Sequence, residues 1–115
     1  MKYAILIYED AAAFAKRAGA GDPTYLASWQ AYSKAIREAG VRIEGQALQD
    51  AATGVAVRLR DGKRHVQDGP FADTKEQLGG VLIVDVPDLD SALAWAARCP
   101  AASYGAVEVR PVNPV

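Results

Sequence analysis

Two β-prone segments that are apolar on both faces set the strongest limit on how this chain can fold. In Lys2–Tyr8, one strand face carries Lys2, Ala4, Leu6 and Tyr8, and the other carries Tyr3, Ile5 and Ile7. Val81–Val86 repeats the pattern, apolar on both faces apart from Asp85. A sheet with one wet face alternates apolar with polar residues, so these segments call for cover on both sides. Leaving four such side chains in water forgoes roughly 1.5–3 kcal/mol each, and an apolar patch of that size marks an interface.

Cover on one side comes from two amphipathic helices. Asp22 is a good N-cap, Pro23 suits the first helical turn, and Gly40 suits a left-handed stop. Between them Tyr25, Trp29, Tyr32, Ile36 and Ala39 recur at helical spacing, with Leu26 widening the stripe. Asp88 opens a second helix whose Leu89, Ala92, Leu93 and Ala96 share a face, with Arg98 in the last turn and Pro100 as terminator. A short Ala-rich helix is expected over about Asp10–Lys16, before the Gly19-Ala20-Gly21 loop. Arg42–Leu48 and Gly54–Arg60 read as strands, and Asp61-Gly62 signals a type I′ turn into a returning strand, Lys63–Gln67. Thr74 and Gln77 match a capping box, so Thr74–Leu78 is expected to form one helical turn that Gly79-Gly80 stops. Ala106–Val112 reads as the last strand.

This order predicts a single α+β domain over residues 1–115: a ferredoxin-like antiparallel sheet with two main helices on one face. Two helices cover one face only. The other is expected to meet a second copy of the chain, sheet against sheet, in a homodimer.

Composition narrows the function classes. Thirteen basic and fourteen acidic residues leave a net charge of -1, so nucleic acid and anionic membrane surfaces are not expected partners. One cysteine and one histidine leave no Cys cluster or multi-His set for a metal, and no cofactor is expected. The longest strongly apolar run, Tyr3–Tyr8, is far shorter than the ~20 residues of a membrane span. Glu9-Asp10 follows too early for a secretory leader, and the expected location is cytoplasmic.

The run Asp68-Gly69-Pro70-Phe71-Ala72-Asp73-Thr74-Lys75-Glu76-Gln77-Leu78-Gly79-Gly80 resembles the signature of the YCII-related proteins, in the branch often called DGPF-domain proteins. Asp73 stands where that family often has Glu. The opening Met1–Tyr8, Val86–Asp90, Trp95–Pro100 and Val107–Val112 resemble it too, so the likeness covers essentially the whole chain. The resemblance implies a dimeric α+β barrel. Relatives in another branch are proposed enzymes with a His–Asp pair, linked to lyase-type chemistry on small ring compounds. This chain has no His in its N-terminal half, and that pair does not transfer. The branch is also associated with alternative sigma factors, which implies a regulatory partner as the alternative to an enzyme.

Candidate site residues cluster around the signature. Asp68, beside a Gly-Pro turn, is the candidate proton carrier of a lyase- or isomerase-type enzyme; the plain alternative is that it caps the turn. Lys75 and Glu76 could hold or protonate a small-molecule ligand, or form a solvated pair. Phe71 could line a pocket or pin the loop. His65 is the one imidazole, suited to proton transfer near neutral pH, but strand alternation sets it on the opposite face from Asp68. Tyr8 ends the first strand, where barrels of this kind open, and is a candidate ligand contact. With Tyr8, Trp29 and Tyr32 are candidates for an aromatic-lined cleft; at helical spacing the plain alternative is core, the preferred reading for Trp29. Arg58, Arg60, Lys63 and Arg64 read as a solvated hairpin edge, and Cys99, at a helix C-terminus, as a structural thiol.

Overall fold

The computed structural model describes residues 1–114. In chain order it contains β1 (Lys2–Glu9), α1 (Ala11–Ala15), α2 (Pro23–Glu38), β2 (Arg42–Ala47), β3 (Val55–Arg60), β4 (Lys63–Asp68), β5 (Gln77–Asp85), α3 (Leu89–Arg98) and β6 (Ala106–Pro111). Four strands form one antiparallel sheet in the order β2-β5-β1-β6, and β3 and β4 form a separate two-stranded sheet. The ferredoxin-like α+β expectation therefore holds. The β3–β4 hairpin is an insertion between two sheet strands, and neither of its strands packs extensively against another element.

The expected caps Asp22 and Asp88 are in place, and Asp10, read from the sequence as the first residue of the short helix, proves to be its cap. The carboxylates of Asp10, Asp22 and Asp88 accept from the backbone N–H of Ala13, Tyr25 and Ser91, at 2.9, 2.9 and 2.8 Å. Each bond satisfies one of the free amides at a helix start. The hairpin turn has positive φ at both Asp61 and Gly62, as a type I′ turn requires.

The core lies between the helices and the sheet face that carries Tyr3, Ile5, Ile7, Leu82 and Val84, joined by Tyr32 and Ile36 of α2 and Ala92 and Ala96 of α3. On α3 the apolar stripe is narrower than its spacing predicts. Small Ala92 and Ala96 let the helix sit close to the sheet, while Leu89 and Leu93 are left nearly half exposed. Cys99 is buried and free, as expected of a structural thiol. On the opposite sheet face Ala4, Leu6, Val81 and Ile83 are half-buried by their neighbours, and Ile43 is 50% exposed. No helix is long and apolar enough to cross a membrane among the described residues.

The structure corrects the signature loop. Thr74–Leu78 is not a helical turn. Thr74 and Gln77 do bond locally, but to carbonyls rather than to amides. The Thr74 hydroxyl donates to Glu76 O at 2.7 Å, and the Gln77 amide donates to Ala72 O and Thr74 O at 2.7 and 2.9 Å. Gln77 already belongs to β5, paired with Glu9. Its backbone groups are committed to the sheet, and sheet pairing overrides the local capping pattern. Gly79 and Gly80 lie inside β5 instead of ending a helix.

Candidate functional site

Along the core face of β1, the series Tyr3, Ile5, Ile7 ends at Glu9, whose side chain is fully buried. A buried carboxylate costs free energy unless it is paired and hydrogen-bonded, and Glu9 is both. The Arg17 guanidinium, from the loop after α1, forms an ion pair with it. The Tyr25 hydroxyl of α2 donates to it at 2.8 Å, and the Tyr104 hydroxyl, just before β6, donates as well. Around this centre the network closes on itself. Arg17 Nε donates to the Tyr25 oxygen at 3.0 Å, the Trp29 indole N–H donates to the Tyr104 oxygen at 3.1 Å, and Arg17 also donates to Leu48 O at 2.7 Å. No buried side-chain polar atom lacks a partner among the described residues.

A sheet irregularity makes room for this pair. Ile7 pairs with Gly80 and Tyr8 with Leu78, so Gly79 is the extra residue of a bulge in β5. A Cβ on Gly79 would stand 2.9 Å from the Phe14 ring, 3.0 Å from the Arg17 guanidinium and 3.2 Å from the Glu9 carboxylate. The double glycine of the signature thus leaves space for a buried ion pair.

The two phenols are held protonated. Burial is the largest cause raising the Tyr25 pKa above its ordinary value; Glu9 adds to it, and Arg17 opposes it. Tyr104 is raised by burial first and by its bond to Glu9 second, against the opposing bond from Trp29. Both stay donors at neutral pH.

Two cavities flank the network, and Tyr25 lines both. One, of about 400 Å3, runs between α2 and the β2–β5 side of the sheet. Its walls include Ile7, Trp29, Tyr32 and Leu82, with Arg17 and Tyr25 at one end and Gly79 and Gly80 beside them. That size and its mainly apolar lining suit a small organic ligand. The other, a broader depression of about 690 Å3, lies on the outer side, by Ser28, Ser103 and Tyr104.

Few of the residues expected from the sequence come together here. Asp68 is exposed at the end of β4, opposite Val55, and His65 is exposed opposite Arg58. They face opposite sides of the hairpin, as alternation predicts. Phe71 is 74% exposed, its ring under the Arg58 guanidinium at 4.8 Å, and Lys75 is exposed. The Glu76 carboxylate and the Tyr8 backbone carbonyl both lie near Gly105, but the Tyr8 hydroxyl donates to Glu108 at 3.3 Å. None of these six lines the 400 Å3 cavity; the signature reaches it through Gly79 and Gly80. The strand expected from the sequence ends at Tyr8 and misses Glu9; the signal that would have found it is an acid continuing the apolar stripe Tyr3, Ile5, Ile7. Arg17, eight residues on, and Tyr104, ninety-five residues on, carry no comparable signal, because each reaches Glu9 from a loop or turn with no pattern of its own. No group of three or more His, Cys, Asp or Glu side chains is arranged to hold a metal among the described residues.

Comparison with known proteins places this architecture. The chain is 34% identical over 114 residues to an uncharacterised protein of Rhizobium meliloti (strain 1021), covering 97% of this chain and 92% of that one. Its fold is similar to that of 5-chloro-2-hydroxyhydroquinone dehydrochlorinase (TftG) from Burkholderia phenoliruptrix, solved in complex with 2,5-dihydroxybenzoquinone. The TM-score is 0.59 at 16% identity, over 98% of this chain and 94% of the other. The family model of the YCII-related domain matches residues 1–115. The chain therefore belongs to the YCII-related family.

Proposed function

We propose that the chain is a small-molecule enzyme of lyase or isomerase type whose reaction centre is the Glu9 network where it meets the 400 Å3 cavity. The observation that carries this reading is that Arg17 and Tyr25 belong both to the network and to the cavity wall. Tyr25 stands between cavity and carboxylate. As a ligand O–H or C–H bond breaks, its proton passes to the phenol oxygen while the phenol proton passes to Glu9. The electron pair left on the ligand then expels a leaving group or shifts a double bond. Arg17 and Tyr104 steady the carboxylate through the transfer. The fold likeness to an enzyme solved with a quinone supplies the first probe.

The test is calorimetric titration with 2,5-dihydroxybenzoquinone, together with chloride release from 5-chloro-2-hydroxyhydroquinone. Tyr25→Phe is expected to leave affinity within about threefold and to cut turnover by about 100-fold or more, the usual worth of a general acid–base group. Absence of binding, or full turnover by Tyr25→Phe, sinks the reading.

The half-buried outer face formed by Ala4, Leu6, Val81 and Ile83 supports the further proposal of a homodimer packed sheet to sheet. A second copy is also what Asp68 needs to act as proton carrier, since its own subunit leaves it in solvent. Light scattering that reports a stable monomer at working concentrations excludes both. If Asp68→Asn retains full turnover, that role passes wholly to the Glu9 network. The alternative of a module working with a sigma factor draws no support from any arrangement described above.

A further inference from the structure

Resting on the reading of the 400 Å3 cavity as the ligand site, we infer that its ligand is a planar anion, and that Arg42 with Arg37 forms the clamp for its carboxylate or equivalent oxyanion. Three arginines, Arg17, Arg37 and Arg42, line the cavity, and no carboxylate lines it among the described residues. They are not equivalent. Arg17 is spent on the protein itself, bonding Glu9, the Tyr25 oxygen and the carbonyls of Leu48 and Gly79. Among the described residues Arg42 makes one bond, from its terminal nitrogen to Gly45 O at 3.2 Å, which leaves most of its N–H fork free there.

The placement of Arg42 is built into the sheet. Its guanidinium lies across Gly45, where a Cβ would stand 3.3 and 3.4 Å from its nitrogens and 3.0 Å from Leu82. Any side chain at position 45 would crowd the fork and the cavity wall together. Arg37, in the last turn of α2, lines the same cavity. The nearby acid on β2, Glu44, is exposed and pairs with Ile83 on the outer sheet face, away from the cavity.

The cavity is also polarised lengthwise. Tyr25 and Arg37 lie twelve residues apart on α2, about 18 Å along its axis. One end therefore holds the phenol and buried carboxylate, and the other holds the guanidinium fork. Between them Trp29 and Tyr32 form an aromatic wall, their rings 6.1 Å apart at 81°. Set nearly perpendicular, the pair offers a ligand ring one aromatic face and one aromatic edge. A bidentate guanidinium–carboxylate pair fixes its orientation as a point charge would not, so the end that reacts is the end away from the anion.

The experiment compares 2,5-dihydroxybenzoate with its neutral isostere 2,5-dihydroxybenzamide by calorimetry on the full chain. The wild type is expected to bind the acid at least about tenfold more tightly. That preference should fall below about threefold in Arg42→Met, with Gly45→Ala weakening the acid selectively, while Lys34→Met, a charge removal on the exposed helix face, changes nothing. Thermal melts confirm that each variant is folded, and Arg37→Met repeats the test from the other element should Arg42→Met fail to fold. Equal affinity for acid and amide, or a preference that survives both arginine substitutions, overturns the clamp while leaving the cavity reading intact. Ser33→Trp, which fills the cavity from α2, separates the two: binding that it does not weaken lies elsewhere, and overturns the reading and the clamp together.

Discussion

Replacing Glu9 tests the physical core of the site without knowledge of any substrate. The carboxylate is fully buried and accepts from Arg17, Tyr25 and Tyr104. In Glu9→Gln the shape survives but the charge does not. The amide nitrogen must face one set of these donors, and the Tyr25 and Tyr104 oxygens already accept from Arg17 and Trp29. Charge-assisted hydrogen bonds contribute about 1.5–3 kcal/mol each, and removing one partner of a buried ion pair costs about 3–5 kcal/mol. The Arg17 side chain is 25% exposed and recovers part of its hydration. The expected cost is therefore about 2–3 kcal/mol for Glu9→Gln and about 3–5 kcal/mol for Glu9→Ala. Against a typical domain stability of about 5–15 kcal/mol, either loss is large. Urea denaturation followed by tryptophan fluorescence measures it, since Trp29 sits in the network. Adding Arg17→Met to Glu9→Gln removes the stranded cation, so the double variant should be more stable than additivity predicts, by about 0.5–3 kcal/mol. A cost below about 0.5 kcal/mol for Glu9→Gln, or strict additivity in the cycle, would refute the claim that a buried ion pair organises this site.

Two further outcomes follow from the same geometry. Gly79→Ala places a methyl against the Phe14 ring, Arg17 and Glu9; overpacking of this kind costs about 1–3 kcal/mol, and a thermal melt indistinguishable from wild type would show that the bulge does not serve the pair. Stability should also fall at alkaline pH. Burial pushes the Cys99 thiol up to about 11, and burial likewise holds the Tyr32 phenol far above its ordinary value. The unfolded chain thus deprotonates first, and the stabilisation, complete below about pH 9, is lost as pH rises toward and through the folded values, at about 1.4 kcal/mol per pH unit per group. Urea midpoints that stay level from pH 8 to pH 11 would contradict this, as would rapid labelling of Cys99 by a thiol reagent at pH 8.

Local chemistry in the sequence was enough to determine the elements, because each rests on nearest neighbours. The capping aspartates Asp22 and Asp88, the Asp61-Gly62 turn and the stripe Tyr25, Tyr32, Ile36 act over a few residues, and the structure keeps all of them. The two-sided apolar strands likewise called for cover on both sheet faces, and the helices of the structure cover one of them. Thr74–Leu78 shows where such reasoning stops: a capping pattern with correct spacing yields to a strand partner, Glu9, sixty-eight positions away. The candidate site stops it for the same reason. The signature drew attention to Asp68, Phe71 and Lys75, which the hairpin and loop leave in solvent, whereas its two glycines form the bulge beside the site. Glu9, Arg17, Tyr25 and Tyr104 share no local pattern. They meet because β1, α2 and the turn before β6 converge at one end of the sheet, and only the closure of that sheet brings a buried carboxylate within reach of a cation and two phenols.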